Sequence, residues 1–140
     1  MLDLGNCWAS QLKSGTIIFL CGDLGAGKTT LVRGILGGLG YDGVVASPTY
    51  TLVEHYAMSA YNVYHLDLYR LQDPADIEIL GVREMSGPSS IMLIEWPERA
   101  AGKLPSPDYQ VDIRYHGSTR KVQVQAAGAQ DLISGFPGSC

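Results

Sequence analysis

An α/β fold, built on a largely parallel central sheet with antiparallel hairpins and flanking helices, is predicted by three features of this chain. The first is an unbroken β-branched-rich run, Thr16-Ile17-Ile18-Phe19-Leu20-Cys21, followed by a glycine-rich loop and then by apolar residues at helical spacing, Leu31, Ile35, Leu36 and Leu39. The second is Ser90-Ile91-Met92-Leu93-Ile94-Glu95, near-continuously apolar, as expected of a strand buried on both faces. The third is a pair of alternating segments, Tyr109 to Tyr115 and Arg120 to Gln125, around His116-Gly117-Ser118-Thr119, which reads as a hairpin. Strand, loop and helix in direct succession are the unit from which a P-loop NTPase-like domain is built.

Taken in chain order, Leu4 to Lys13 reads as a short helix closed by Ser14-Gly15. The strand from Thr16 leads into Gly22-Asp23-Leu24-Gly25-Ala26-Gly27-Lys28-Thr29, which satisfies G-x-x-x-x-G-K-[ST] at every fixed position. A helix follows from Lys28 to Leu39, with Gly40 as its C-cap. Gly34, Gly37 and Gly38 weaken that helix by propensity and are expected to mark close packing on the sheet. Ser47-Pro48-Thr49-Tyr50-Thr51 is a loop, and Leu52 to Tyr56 pairs with Tyr61 to Tyr69 as a hairpin around Met58-Ser59-Ala60. Asp73-Pro74-Ala75-Asp76 offers an N-cap, a proline at the first helical position and a carboxylate at the third. A helix is therefore expected from Pro74 to Leu80, ended by Gly81. Pro97, Gly102, Pro105 and Pro107 mark a loop before the final hairpin. One domain, residues 1–126, accounts for all of this, and the small, polar segment 127–140 is expected to be a frayed tail.

Composition narrows the function classes. A chain of 140 residues that is 46% hydrophobic can bury a real core, but a P-loop sheet with its helices uses nearly all of it, which leaves no separate substrate domain. Net charge is −4, and the ten basic residues form no cluster, so autonomous nucleic-acid binding is not expected and any RNA is held by a partner. The cysteines, Cys7, Cys21 and Cys140, lack C-x-x-C spacing, and the first residues carry no basic segment before an apolar stretch. Apolar runs are strand length, far short of a membrane span. The expectation is a reduced, cytoplasmic protein without membrane contact, in which Cys21 is inert core.

The glycine-rich loop carries the chemistry. Without a Cβ, its glycines let successive backbone N–H groups turn toward one centre, and the helix N-terminus adds partial positive charge, so Asp23, Leu24, Gly25, Ala26, Gly27, Lys28, Thr29 and Thr30 form a polyphosphate cradle. Lys28 is placed to reach the β- and γ-phosphates and the Thr29 hydroxyl to ligate Mg²⁺. Such a loop needs acidic partners, and Asp67 and Glu95 each end an apolar run, at the sheet edge where phosphates bind. As alternatives, Asp67 is a rim charge and Glu95 a cap or loop charge. His65 reads as a packing histidine and Trp96 as core. Ser47-Pro48-Thr49 offers hydroxyls on a loop after the P-loop helix, as a γ-phosphate sensor would, although such loops also occur without that role. A small-molecule kinase and a GTPase-like switch compete with an ATPase. No arginine-bearing lid is present for the first, and no Asn-Lys-x-Asp segment for the second.

Leu4-Gly5, the Gly22-to-Thr30 loop, Ser47-Pro48-Thr49-Tyr50-Thr51, His65-Leu66-Asp67-Leu68-Tyr69-Arg70 and Ile94-Glu95-Trp96-Pro97-Glu98 occur in an order and spacing that resemble the bacterial TsaE (YjeE) family. The likeness runs from Leu4 to about Ala126. It implies an ATPase of tRNA threonylcarbamoyladenosine biosynthesis that works with TsaB and TsaD, reaching tRNA only through that complex. In it, TsaD transfers the threonylcarbamoyl group to an adenosine beside the anticodon. The resemblance further implies that Thr29 and Glu95 hold Mg²⁺, that Asp67 supports ATP hydrolysis, that the loop bearing Thr49 is switch-like, and that Arg120 of the final hairpin approaches the nucleotide. The chain departs from the pattern at Met1, where family members usually carry Ser or Thr in contact with the base region. Either that contact is lost or the native start lies upstream.

Overall fold

Period-two alternation divides the core into two layers, one on each face of a single mixed sheet. The structure is a computed structural model that describes residues 1–127 and the backbone of Ile133–Ser134; the expectation of a frayed tail falls largely outside the described residues. The elements are α1 (Leu2–Ala9), β1 (Ile17–Cys21), α2 (Lys28–Gly38), β2 (Val53–Ala57), β3 (Asn62–Asp67), α3 (Asp76–Leu80), α4 (Val82–Met85), β4 (Ser90–Glu95), β5 (Tyr109–His116), β6 (Thr119–Ala126) and β7 (Ile133–Ser134). The strand order is β2-β3-β4-β1-β5-β6-β7. The four strands β3, β4, β1 and β5 are parallel at the centre, and the hairpins β2–β3 and β5–β6 are antiparallel, as expected from the sequence. No helix among the described residues is long and apolar enough to cross a membrane.

Successive strand side chains point to opposite faces. Ile18, Leu20, Val63, Ile91, Leu93, Val111 and Ile113 therefore share one core with α1 and α2, while Leu66, Met92 and Ile94 share the other with Ile77 of α3 and Val82 of α4. β4 is buried at every residue, which is why its sequence is near-continuously apolar. Each large aliphatic side chain buried in these layers stabilises the fold by about 1.5–3 kcal/mol relative to exposure.

Gly34 and Gly38 of α2 pack closely, but on α1 rather than on the sheet, and Gly37 is exposed, with only the Asn6 amide 3.8 Å from where a Cβ would be. A Cβ at Gly34 would stand 2.3 Å from the Leu2 carbonyl oxygen, one at Gly38 2.5 Å from the Asn6 carbonyl oxygen, and one at Gly5 2.5 Å from the Leu31 carbonyl oxygen. The two helices meet backbone to backbone. Boundaries also differ from expectation, among them the start of α3, at Asp76 with Ala75 as N-cap and not at Pro74 after an Asp73 cap. The first helix spans Leu2–Ala9, not Leu4 to Lys13, because Ser10 Oγ bonds back to the Cys7 carbonyl and the next N–H groups, of Gln11 and Leu12, close tighter three-residue turns. The second hairpin strand stops at Asp67, whose Oδ1 accepts the Tyr69 N–H at 3.1 Å and turns the chain. Gly81, at φ 77°, ends α3 but also starts α4, a second short helix that its reading as a stop signal conceals.

Candidate functional site

The glycine-rich loop leaves β1 and closes on the first turn of α2. Gly27 stands as N-cap at φ 115°, a left-handed conformation that side-chain-bearing residues rarely adopt, and no side chain caps the helix. The first-turn N–H groups of α2, where Lys28, Thr29 and Thr30 sit, are thus left to the loop cavity, and the helix dipole favours an anion there. Met1 lies against this turn, its Cγ 3.1 Å from where a Gly27 Cβ would be. Inside the loop the Ala26 N–H bonds the Asp23 carbonyl at 3.1 Å.

Register brings the acidic partners to the same place. Asp67 and Glu95 are paired residues at the ends of the parallel strands β3 and β4, and Leu20, the penultimate residue of β1, pairs with Glu95. By strand parity His65, Asp67 and Glu95 share the face covered by α2. Glu95 is only 2% exposed, and its carboxylate oxygens lie 3.1 and 3.3 Å from the Thr29 hydroxyl. His65, fully buried, places Nε2 2.5 Å from Glu95 Oε2. An ionised carboxylate only accepts, so Nε2 carries the hydrogen and donates. Nδ1 of the same ring meets no polar partner among the described residues. His65 therefore packs as expected but also holds Glu95, a role that only the register reveals. The Glu95 carboxylate is bonded by a hydroxyl and an imidazole ring nitrogen, and burying a carboxylate is costly unless it is paired and hydrogen-bonded. Its oxygens, with the Thr29 hydroxyl, form the kind of hard donor set that suits Mg²⁺. Among the described residues no group of three or more His, Cys, Asp and Glu is arranged to hold a metal, so such an ion would complete its shell with water and with oxygens of a bound phosphate.

Lys28 is 5% exposed, and its ammonium donates to the carbonyls of Gly22 and Asp23 at 2.5 and 2.8 Å. It also sits 4.5 Å from the centre of the Trp96 ring. Burial pulls its pKa below the ordinary lysine value, against the opposing pull of Glu95, Asp67, Glu98 and Asp23. Burial pushes the Asp67 carboxyl up, and the Tyr69 N–H pulls it back only in part. Trp96 has φ 57°, a left-handed value rare for a side-chain-bearing residue, and its ring packs on Tyr69 with centroids 4.9 Å apart. The aromatic belongs to the site as much as to the core. A cavity of about 450 Å³ beside the loop is bordered by Gly22, Asp23, Glu98, Asp112 and Arg114. Burial beside Asp112 and Glu98 pushes the Cys21 thiol up to about 12, so it stays protonated and inert.

Arg120 reaches the loop from β6, its Nε donating to the Ala26 carbonyl at 3.2 Å. Its guanidinium also covers the Tyr115 ring at 4.1 Å, and the Tyr115 hydroxyl donates to the Leu24 carbonyl at 3.2 Å. No local pattern singles out Tyr115; its pairing opposite Arg120 across the hairpin does. The Thr49 hydroxyl lies 2.9 Å from that of Ser47, on a loop tied to Asp67 through Leu52, whose N–H bonds the Pro48 carbonyl and whose carbonyl accepts the Asp67 N–H. Lys28, Thr29, Asp67, Glu95 and Arg120 are thus gathered around one loop, and Thr49 lies on a separate one.

Comparison with known proteins gives the family and the fold. The family profile described as "Threonylcarbamoyl adenosine biosynthesis protein TsaE" matches residues 1–123. A Haemophilus influenzae protein named tRNA threonylcarbamoyladenosine biosynthesis protein TsaE is 48% identical, the match spanning 97% of this chain and 90% of that protein. A Bacillus subtilis protein of the same name is 36% identical over 86% of this chain and 75% of its own length. Among solved structures, the crystal structure of Bacillus subtilis YdiB superposes with a TM-score of 0.71 at 29% identity, covering 91% of this chain and 78% of that one.

Proposed function

The chain belongs to the TsaE family of threonylcarbamoyladenosine biosynthesis proteins, and from that premise we propose that it is a Mg-ATP-binding ATPase that sustains turnover of a TsaB–TsaD complex modifying the adenosine beside the tRNA anticodon. The observation that carries the reading is the Thr29 hydroxyl at 3.1 Å from the buried Glu95 carboxylate, directly after the uncapped N-terminus of α2. Within it, Asp23 to Thr30 cradle the phosphates and Lys28 moves from the loop carbonyls to the β- and γ-phosphate oxygens. Thr29 and Glu95 would hold Mg²⁺, and the ion would supply neutralisation of phosphate charge. Asp67, half-buried beside Glu95, accepts a hydrogen bond from the attacking water and orients it. The loop bearing Thr49 is the switch segment through which the terminal phosphate is sensed. With net charge −4 and no basic stripe, the chain meets tRNA only through its protein partners, in the cytoplasm.

The test is reconstitution. ATP hydrolysis by this chain, measured without any phosphate acceptor, should rise when TsaB and TsaD are added, and multiple-turnover tRNA modification should require the chain and ATP together. Hydrolysis indifferent to TsaB and TsaD, or appearing only with a small-molecule acceptor, would contradict the proposal and favour a kinase.

A further inference from the structure

We infer that Tyr115 and Arg120 are positioning residues of the phosphate loop, bracing it from outside so that two of its N–H groups face the phosphates; the inference rests on the nucleotide-binding reading above. The two residues are directly paired across β5 and β6, so the hairpin presents both side chains to the loop at once. Each takes a loop carbonyl: the Tyr115 hydroxyl that of Leu24 at 3.2 Å, the Arg120 Nε that of Ala26 at 3.2 Å. The guanidinium lies 4.1 Å over the Tyr115 ring, which couples the two contacts.

The consequence follows from peptide geometry. No cis peptide occurs among the described residues, and in a planar trans peptide the carbonyl of one residue points opposite to the N–H of the next. Drawing the Leu24 carbonyl toward the hairpin therefore aims the Gly25 N–H away from it, and drawing the Ala26 carbonyl the same way aims the Gly27 N–H away. A side chain at Gly25 would crowd the Tyr115 contact, because a Cβ there would stand 2.9 Å from the Tyr115 hydroxyl. Glycine at this position admits the brace as well as the left-handed turn, at φ 77°. The carbonyls are spread over alternate residues, so one hairpin sets two alternate donors.

A brace acts on every ligand that carries a β-phosphate, whereas a direct contact of Arg120 with the terminal phosphate acts on ATP alone. Mg-ATP and Mg-ADP should therefore be titrated calorimetrically into the full chain, wild type, Tyr115→Phe and Arg120→Gln, with the Gly25 and Gly27 amide resonances followed by NMR. Tyr115→Phe keeps the ring and loses only the hydroxyl. It is expected to weaken both nucleotides by the same factor, about threefold, and Arg120→Gln by about tenfold, from the worth of a neutral and a charged hydrogen bond. Both amides should shift in the nucleotide-free variants, KM for ATP should rise at unchanged kcat, and melting should stay within about 2 °C of wild type. Wild-type affinity and unmoved amides in Tyr115→Phe would overturn the brace, as would a loss confined to ATP. Failure of the wild type to bind either nucleotide would instead overturn the nucleotide-binding reading on which it rests.

Discussion

The first turn of α2 and the seam along its length meet their neighbours in opposite ways. Along its length Gly34 and Gly38 let α1 approach until backbone meets backbone, an apolar seam that leaves no charge without water. At its first turn Lys28, 5% exposed, and Thr29 face Glu95, 2% exposed, so that charges are taken out of water in return for hydrogen bonds, the pull of nearby carboxylates on Lys28 and its seat over the Trp96 ring. Close packing rewards the fold directly. Buried charge seldom does, because desolvation offsets most of what the contacts return. The difference teaches where to look for each property in this chain: stability resides in the seam, and the polar end is kept for what it binds.

Four substitutions break or sharpen that contrast. The largest effect is expected from Lys28→Ala, which removes the phosphate-facing ammonium; Mg-ATP affinity should fall by about a hundredfold in calorimetry, the upper range for charged hydrogen bonds, while melting stays within about 3 °C of wild type. Gly34→Ala should do the reverse. Its methyl group meets the Leu2 carbonyl, which cannot swing aside as a side chain would. Overpacking of about 3 kcal/mol, less about 1 kcal/mol of helix propensity, lowers melting by about 8 °C, and affinity measured below that temperature is unchanged.

Glu95→Gln tests the polar end from its metal side. Mg²⁺-dependent nucleotide affinity should drop about tenfold, affinity measured with Mg²⁺ chelated should not move, and melting should hold or rise because a buried charge has gone. The smallest effect is expected from Asp67→Asn. Burial raises the Asp67 pKa in the fold, so the folded chain binds that proton more tightly than the unfolded chain does. Stability is then lost as pH rises from the ordinary aspartate value through the folded value, and stays lost above it. Removing the carboxylate should raise melting at neutral pH by about 2 °C, and the gain should vanish below about pH 4. Nucleotide binding should survive and hydrolysis slow. A variant no more stable at neutral pH than at pH 4 would remove Asp67 from the set of buried, costly charges.

What could be read from the sequence follows the range of the interactions. The loop from Gly22 to Thr29 and the strand ending in Glu95 are local patterns, each carried by a few adjacent residues, and the structure keeps both as read. The hairpins were legible for the same reason, from alternation broken by turn residues. Long-range facts were not. That His65 holds Glu95 depends on the register of β3 against β4, and that Tyr115 and Arg120 hold the loop depends on a hairpin folding back onto residues 94 or so positions earlier in the chain. The α2 glycines announced close packing, but sequence has no way to say that the partner is α1 and not the sheet. Boundaries shifted where a side chain competed with the backbone, as Ser10 does at the end of α1.

The central claim is that the polar end of α2 binds phosphates, and the most direct measurement is the melting temperature of the wild-type chain with Mg-ATP against Mg-AMP at equal excess. A ligand at a hundred times its Kd stabilises by about 2.7 kcal/mol. The account predicts a rise in melting temperature of about 10 °C with Mg-ATP and almost none with Mg-AMP, which lacks the β- and γ-phosphates proposed to meet Lys28 and the Mg²⁺ that Thr29 and Glu95 would hold. Equal shifts with the two nucleotides, or no shift with Mg-ATP, would contradict it.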